Sequence, residues 1–464
     1  MADGKTKQRV DIQGVPYDIS GKEDGSLVLT PPEGAGAGAL TLAKDQFVFD
    51  AERDSTWVAI LFVALSCVIV GNGFFKPNIS TIVGSLYKEG DPRRDAGFTI
   101  FYMGINLGSM ISQFLCPLLA EAFGYWAGFL LAAIGMLTAW ALFQFDGNRL
   151  KGHGEAPQGT EGAVLPIYIG AIVAIPLVWF LIHNTMVNAQ LAHAAAAEGK
   201  GILEYLASLS ILGKSLFLLF LISVIGIPIW SLIAGTKEEA QKMIVAVVLV
   251  VFSVVFWTLF EQAGSSLTFF ADRNTDRMIG SYEMPAAQTQ IFNPLFIVIF
   301  APVFSWLWVW LAKRGLEPNI PVKFAISLVL VGVGFLLLVF GAKFAGPDFK
   351  VGLGWLVLAY LIHSIGELCL SPVGLSMITK LSIARVVGLM MGVWFLSSSM
   401  AQYVGGIIAQ FASVETVGGE VANLGNALAT YVSVFNIIGW WSVGFGVLLF
   451  VFSPLLKRMM HGVR

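Results

Sequence analysis

Long apolar runs alternate with short polar loops along most of this chain of 464 residues. From Trp57 onward, eleven of the runs are long enough to cross a bilayer as helices, which takes about 20 apolar residues each. The runs cover approximately residues 56–76, 96–119, 125–145, 163–183, 213–235, 241–262, 288–312, 321–342, 351–379, 385–412 and 431–453. The pattern predicts an all-α polytopic membrane protein with about eleven spans.

The first 55 residues have a different pattern. VDIQGVPYDIS and GSLVLT alternate apolar and polar residues around GKEDG, which is a weak signal for a β-hairpin. The stretch PPEGAGAGA that follows is typical of a linker. We therefore expect residues 1–55 to form a hydrophilic segment outside the membrane, with a β-hairpin within it.

Composition agrees with a membrane location and narrows the list of partners. Hydrophobic residues make up 56% of the chain and charged residues 12%, whereas about a quarter of residues are charged in soluble domains. The basic residues are scattered through loops, so the sequence predicts a lipid bilayer and no nucleic acid as partner. Cys67, Cys116 and Cys369 lie inside apolar runs without paired spacing, so we expect no disulfide, metal site or cofactor.

Basic residues concentrate in alternate loops, as at Arg93, Lys313 and Lys457. The positive-inside rule then predicts a cytoplasmic C-terminus. With eleven spans, the polar N-terminal segment would lie on the other side, although no signal sequence precedes it. An odd number of additional spans upstream of Met1 would remove this conflict, so we expect the chain to lack part of its N-terminal helices.

Three ionisable residues lie within or at the end of apolar runs: Lys76, Glu261 and Glu367. A charge in hydrocarbon costs several kcal/mol unless it faces a polar cavity or a counter-charge. Two acids and a lysine suit a cavity that titrates and binds a zwitterion, although a neutral, hydrogen-bonded structural acid is an alternative. His363, one turn before Glu367, is more consistent with a packing histidine than with a proton site.

Polar and aromatic side chains occur in the same runs. Asn106 and Asn293 interrupt apolar stretches, where each could bind a substrate or form a hydrogen bond to a neighbouring helix. Trp257 lies four residues before one of the acids, and Trp394 and Ser398 repeat that spacing, which places each pair on one helical face. Tryptophans at mid-span favour a cavity wall over an interfacial belt.

The sequence contains no catalytic or nucleotide-binding signature. It has no Ser/His/Asp grouping, no GxSxG elbow, no GxxxxGK[ST] loop and no metal-spaced His or Cys set. An enzyme embedded in the membrane is an alternative class. Because the ionisable groups lie at depth rather than at the membrane surface, the pattern favours transport.

Several long motifs resemble one transporter family. GNGFFKPNIS, followed by DPRRDAGFTIFYMGINLG, resembles the signature of the proton-dependent oligopeptide transporters of the major facilitator superfamily. FWTLFEQAGSSLTFFADR, IFNPLF, GELCLSPVGLS and VGLMMGVWFLSS are similar to later helices of that family, in the same order. The resemblance extends from Trp57 to the C-terminus.

The resemblance implies a fold of two six-helix bundles joined by two linker helices. Residues 56–150 would then form three spans of an incomplete N-terminal bundle, 163–237 the two linker helices and 238–464 a complete C-terminal bundle. GNGFFKPNIS would belong to the fourth helix, so three spans would be missing. The Glu-x-x-Glu-Arg motif of the family's first helix does not occur in this chain.

The resemblance also implies roles for individual residues. Lys76 would face the peptide carboxylate, Asn106 and Glu367 would hold the peptide amino group, and Glu261 together with Lys76 would couple protons. The residues that would contact substrate are Lys76, Tyr102, Asn106, Trp257, Asn293, Glu367, Trp394 and Ser398.

The expected function is proton-coupled symport of di- and tripeptides across the inner membrane by alternating access between two bundles. Protons would be the coupling ion, and no cofactor is expected. Two alternatives stay open: a truncated, transport-inactive gene product, and a transporter of another zwitterionic solute.

Overall fold

The fold is seen in a computed structural model. It describes residues 9–463 except for 22–25, 33, 37, 44–45, 48–53, 87–93, 146–149, 151, 153–163, 198–201, 414–415, 418–419 and 422.

Thirteen α-helices account for most of the described residues. Their bounds are α1 Ser55–Ser85, α2 Arg94–Phe123, α3 Tyr125–Gln144, α4 Val164–Ala197, α5 Ile202–Ser208, α6 Ile211–Ala234, α7 Lys237–Phe260, α8 Ser266–Asn274, α9 Phe292–Lys313, α10 Ile320–Gly341, α11 Leu353–Leu381, α12 Val387–Phe411 and α13 Leu424–Met459. The longest of them, α13, has 36 residues.

The predicted number of spans is confirmed, because eleven helical segments in the described part of the chain are long and apolar enough to cross a membrane. The predicted run 241–262 is not one continuous helix, since α7 ends at Phe260. A 3-10 turn, Glu261–Gly264, separates α7 from the short helix α8. Glu261 therefore lies in a break between two helices and not inside an uninterrupted span.

Polar residues at helix starts explain where two of the spans begin. The Thr236 hydroxyl accepts a hydrogen bond from the Glu239 backbone N–H, and the Glu239 carboxylate accepts one from the Thr236 backbone N–H. This reciprocal capping box satisfies two free donors at the start of α7. Asn319 accepts a hydrogen bond from the Val322 backbone N–H and caps α10 in the same manner.

Helix α10 lies at the centre of the C-terminal half, packed between α13 and α11. Glycines permit this close approach. A Cβ on Gly332 would lie 2.6 Å from the Gly439 carbonyl oxygen, and a Cβ on Gly446 would lie 2.9 Å from the Ala325 carbonyl oxygen. Small residues let membrane helices pack closely. The buried side chains that fill this core include Phe256, Phe324, Leu328, Phe335, Phe435 and Leu449.

Helix α7 packs against α12 through buried polar groups. The Gln262 side chain donates to the Gly405 carbonyl at 3.0 Å, and the Thr258 hydroxyl donates to the Ala401 carbonyl at 3.3 Å. A Cβ on Gly405 would lie 3.3 Å from the Thr258 carbonyl oxygen, so the glycine permits this contact. Gln262 is completely buried and its amide is satisfied, as a buried polar group requires.

Helices α1–α4 and α6 present more of their surface. Trp179 on α4 donates its indole N–H to the Ala59 carbonyl on α1 at 3.2 Å and stacks on His183. Helix α2 packs against α3 and α9. Large apolar side chains such as Leu61 and Phe129 are exposed on these helices. A surface of this kind suits contact with lipid or with other membrane helices.

The N-terminal segment contains more than the hairpin that the sequence indicated. Four antiparallel strands form one sheet in the order β1-β2-β3-β4, with Tyr17, Leu27 and Leu29 buried. Their bounds are β1 Arg9–Ile12, β2 Val15–Gly21, β3 Leu27–Thr30 and β4 Leu40–Leu42. Two-residue strands occur in the loops at β5 Thr275–Asp276, β6 Met278–Ile279, β7 Tyr282–Glu283, β8 Val351–Gly352, β9 Thr416–Val417 and β10 Glu420–Val421.

Candidate functional site

Glu367 lies on α11 and is only 9% exposed. The Asn293 amide on α9 donates to the Glu367 carboxylate at 3.0 Å and to the Ser364 hydroxyl at 3.0 Å. Ser364 in turn donates to the Tyr360 carbonyl one turn earlier on α11, at 2.7 Å. Packing of α9 against α11 thus brings together an acid and an asparagine that sequence analysis singled out.

Tyr102 and Asn106 lie one turn apart on α2, and both are half-buried. The Asn106 amide donates to the Tyr102 carbonyl at 3.0 Å. The Tyr102 hydroxyl lies close to the Asn106 side chain and within electrostatic range of Glu367. Packing of α2 against α9 thus brings Tyr102 into the region of Glu367.

Glu261 is half-buried in the turn between α7 and α8, within electrostatic range of Glu367. Neither acid forms an ion pair with a residue that the structure describes. Two carboxyl groups thus share one region without a described cation beside them. Such an arrangement can accept a proton or a cationic group from outside the protein.

His363 is buried beside this region but has a structural environment. Its Nε2 lies 3.0 Å from the Val331 carbonyl oxygen, which requires the proton on Nε2. The ring packs on Phe335, with 4.9 Å between ring centroids, and a Cβ on Gly334 would overlap it. These contacts fit the packing role expected for this histidine.

The predicted wall residues lie in different environments. Trp257 is half-buried and packs edge-on against Phe256 and Phe260. Trp394 is 6% exposed and packs between α12 and α11, where a Cβ on Gly374 would overlap its ring. Ser398, one turn after Trp394, is half-buried. Trp394 thus packs in the contact between α12 and α11, the helix that carries Glu367.

Lys76 lies on α1, but its side chain is outside the part of the chain that the structure describes. Its predicted role, facing the peptide carboxylate and coupling protons, therefore remains untested by the structure.

Two polar residues that join elements near the site, Ser364 and Gln288, are not among the predicted site residues. Ser364 supports Asn293, and Gln288 is fully buried, with its amide donating to the Phe114 carbonyl on α2 at 2.8 Å. The Tyr282 hydroxyl donates to the side-chain amide oxygen of Gln288 at 2.8 Å. Glutamine close to an apolar run was a usable signal for Gln288, whereas serine is too common in membrane helices to mark Ser364.

Comparison with known proteins gives a consistent result. The family model described as "PTR2: POT family" matches residues 34–424. The uncharacterized transporter YclF of Bacillus subtilis is 34% identical over 405 residues, which cover 87% of this chain and 75% of that protein. The dipeptide and tripeptide permease A of Edwardsiella piscicida is 33% identical over 429 residues, which cover 92% of this chain and 81% of that protein.

Solved structures with the same fold include a variant of a peptide transporter POT in complex with alafosfalin. It has a TM-score of 0.67 and 33% identity, and the match covers 87% of this chain and 76% of that chain. A POT family transporter in complex with 5-aminolevulinic acid has a TM-score of 0.65 and 27% identity, and covers 86% of this chain and 80% of that chain.

Proposed function

Since the chain belongs to the POT family, whose members are transporters and not enzymes, we propose that it carries di- and tripeptides across the inner membrane in symport with protons. The name of the Edwardsiella permease and the alafosfalin complex support a peptide substrate. Transport would proceed by alternating access, with the site exposed first on one side of the membrane and then on the other.

The arrangement around Glu367 is the observation that carries the proposal. The Glu367 carboxylate is buried and has no ion-pair partner among the described residues, which is costly in a membrane, and a cationic substrate group would remove that cost. The amino terminus of a peptide is such a group. Asn293 holds the carboxylate in place, and Tyr102 and Asn106 offer further polar groups from the opposite helix.

The carboxylate end of the peptide needs the opposite charge. We assign Lys76 on α1 to this role, because α1 belongs to the other half of the chain from Glu367. A cation and an anion on opposite halves would select a zwitterion of limited length. Trp257, Trp394 and Ser398 would then contact the peptide side chains.

The Glu367 assignment is tested by uptake of a radiolabelled dipeptide into proteoliposomes. Glu367→Gln keeps the size and hydrogen-bonding capacity of the side chain but removes the charge. An unlabelled dipeptide should compete far better than its N-acetylated form in the wild type, and this difference should vanish in the variant. The exposed acid Glu238 on α7 offers a matched control, because Glu238→Gln should change neither uptake nor competition.

An unchanged competition ratio in Glu367→Gln, with equal protein in the membrane, would remove Glu367 from the substrate site. Stronger competition by 5-aminolevulinic acid than by any dipeptide would point to a different zwitterion as the substrate.

The same basic loops that predict the orientation support a cytoplasmic C-terminus. Lys457 and Arg458 lie in the last turn of α13, and Lys380 lies in the last turn of α11, so both helix ends would face the cytoplasm. A cysteine added after Val463 should react with an impermeant maleimide only after the membrane is opened.

A further inference from the structure

A cavity of about 210 Å³, which none of the residues described around Glu367 lines, lies between α4, α5, the start of α6 and the last turns of α12. Its base is a cluster of hydroxyl groups. Ser210, which is buried and caps α6, lies 3.1 Å from the Tyr403 hydroxyl on α12, and Thr185 on α4 donates to Ser210 at 3.3 Å. A Cβ on Gly213 would overlap the Tyr403 hydroxyl, so α6 is packed tightly against this base.

Three polar side chains that line the cavity have no hydrogen-bond partner among the described residues. They are Gln402 and Gln410 on α12 and the hydroxyl of Tyr205 on α5. Burial, and then the neighbouring Tyr403, raise the pKa of the Tyr205 hydroxyl, which therefore stays protonated and able to donate at neutral pH. Three donors on the cavity lining thus have no acceptor among the described residues.

The position of Gln402 makes an amide without a hydrogen-bond partner energetically unfavourable. It is exposed on α12, nine residues before the end of that span, which corresponds to a depth of about 14 Å along the helix. An amide facing hydrocarbon without a partner costs about 1–3 kcal/mol or more. A polar molecule bound in the cavity would satisfy this amide.

The other walls of the cavity restrict what that molecule can be. Among the residues that the structure describes, no Asp, Glu, Lys or Arg lines the cavity, so these residues offer a charged group no counter-charge in return for its lost water. Leu209, Ile407 and the Tyr205 ring provide apolar contact beside the amides and hydroxyls. Gly406 adds free volume, because a Cβ at that position would meet no atom within 4 Å.

We propose that this cavity binds an uncharged polyhydroxyl group. Hydroxyls both donate and accept hydrogen bonds, as the amides of Gln402 and Gln410 do, and the C–H surface of a polyol fits the apolar wall. The group is presented either by the headgroup of a membrane lipid or by a free polyol. The cavity is separate from the proposed peptide site, so this inference does not rest on the transport function.

The test is equilibrium binding of labelled monooleoylglycerol to the protein purified in an amine-oxide detergent, which carries no hydroxyl groups. Saturable binding at one site is expected, and oleoyl phosphatidylcholine should not compete for it. Competition by free glycerol would assign the site to a free polyol, and its absence would assign the site to a lipid headgroup.

Two kinds of variant locate the binding. Gly406→Leu should abolish it by filling the cavity, while Gly444→Leu, at an equally open position on α13, should leave it unchanged. Tyr205→Phe removes one hydroxyl without changing the shape of the cavity and should weaken binding about three- to tenfold. Absence of saturable binding, equal competition by phosphatidylcholine, or wild-type affinity in Gly406→Leu would overturn the proposal.

Discussion

The Asn293 side chain determines how the Glu367 carboxylate is presented. Its amide nitrogen donates to both Glu367 and Ser364, so a residue on α9 fixes the orientation of an acid on α11. A hydrogen bond to a charged group contributes about 1.5–3 kcal/mol. A carboxylate that is already held in place also loses less side-chain entropy when it binds an amine.

We therefore expect Asn293→Leu to raise the KM for a dipeptide roughly ten- to a hundredfold, the factor that corresponds to loss of such a hydrogen bond. Initial uptake rates over a range of peptide concentrations, in proteoliposomes with matched protein content, would measure it. Asn426→Leu, at an exposed position at the start of α13, is the control and should leave the KM unchanged. An Asn293→Leu protein with the wild-type KM would show that this amide does not position the acid.

Single site residues could be predicted from the sequence, but the contacts between them could not. Glu367, Asn293 and Asn106 are visible because polar residues are rare inside apolar runs. The hydrogen bond between Asn293 and Glu367 joins residues 74 positions apart, and no local pattern encodes which helices will be neighbours. The fully buried Gln288 was missed, since it lies at the edge of its apolar run.

At the scale of elements, the contact between α10 and α13 depends on residues without side chains. Gly332 and Gly439 allow the two backbones to meet, because a Cβ on Gly332 would come within 2.6 Å of a carbonyl oxygen. Neither backbone can yield without moving a whole helix. A methyl group added at Gly332 could therefore be accommodated only if the two helices moved apart.

Gly332→Ala should consequently destabilise the protein by about 1–3 kcal/mol, the usual cost of overpacking a tight interface. Gly444→Ala, on the open face of α13, should instead be neutral or stabilising by up to about 1 kcal/mol, because alanine is the better helix former. Thermal unfolding of both variants in the same detergent gives the comparison. Equal melting temperatures for the two would mean that α10 and α13 are not in close contact.

The spans themselves were predictable because about 20 consecutive apolar residues are what a helix needs to cross the hydrocarbon core. The ends of the spans were harder to predict. The apolar run 431–453 is shorter than α13, because the helix continues beyond the run through polar residues such as Asn426 and Lys457. The 3-10 turn after Phe260 was hidden by the apolar residues on both sides of it.

At the scale of the whole molecule, Glu261 lies at a joint between two helices and not within a rigid one. A change in the turn between α7 and α8 would change how far this carboxyl is exposed to water. A carboxyl that is open to water in one state and closed off in the other is suited to carry a proton. The nearby Glu367 would couple that step to the presence of a substrate amine.

Glu261→Gln should therefore abolish accumulation of dipeptide driven by a pH gradient, while exchange of labelled for unlabelled dipeptide across the membrane continues. Both assays use the same proteoliposomes, with or without the gradient. Glu238 is an exposed acid at the start of α7, and Glu238→Gln should retain both activities. Concentrative uptake by the Glu261→Gln protein would mean that the proton is carried by another residue.

The length of α13 has a consequence for the membrane around the protein. Helix α10, with 22 residues, is about 33 Å long and matches a typical hydrocarbon core of about 30 Å, whereas the 36 residues of α13 extend about 54 Å. The contacts of Gly332 with Gly439 and of Ala325 with Gly446 leave α13 longer than α10 at both ends. In a thicker bilayer, α13 would still present hydrogen-bonded helix to the added lipid, so its mismatch would expose only polar side chains, whereas its shorter neighbours would also expose the backbone of their loops.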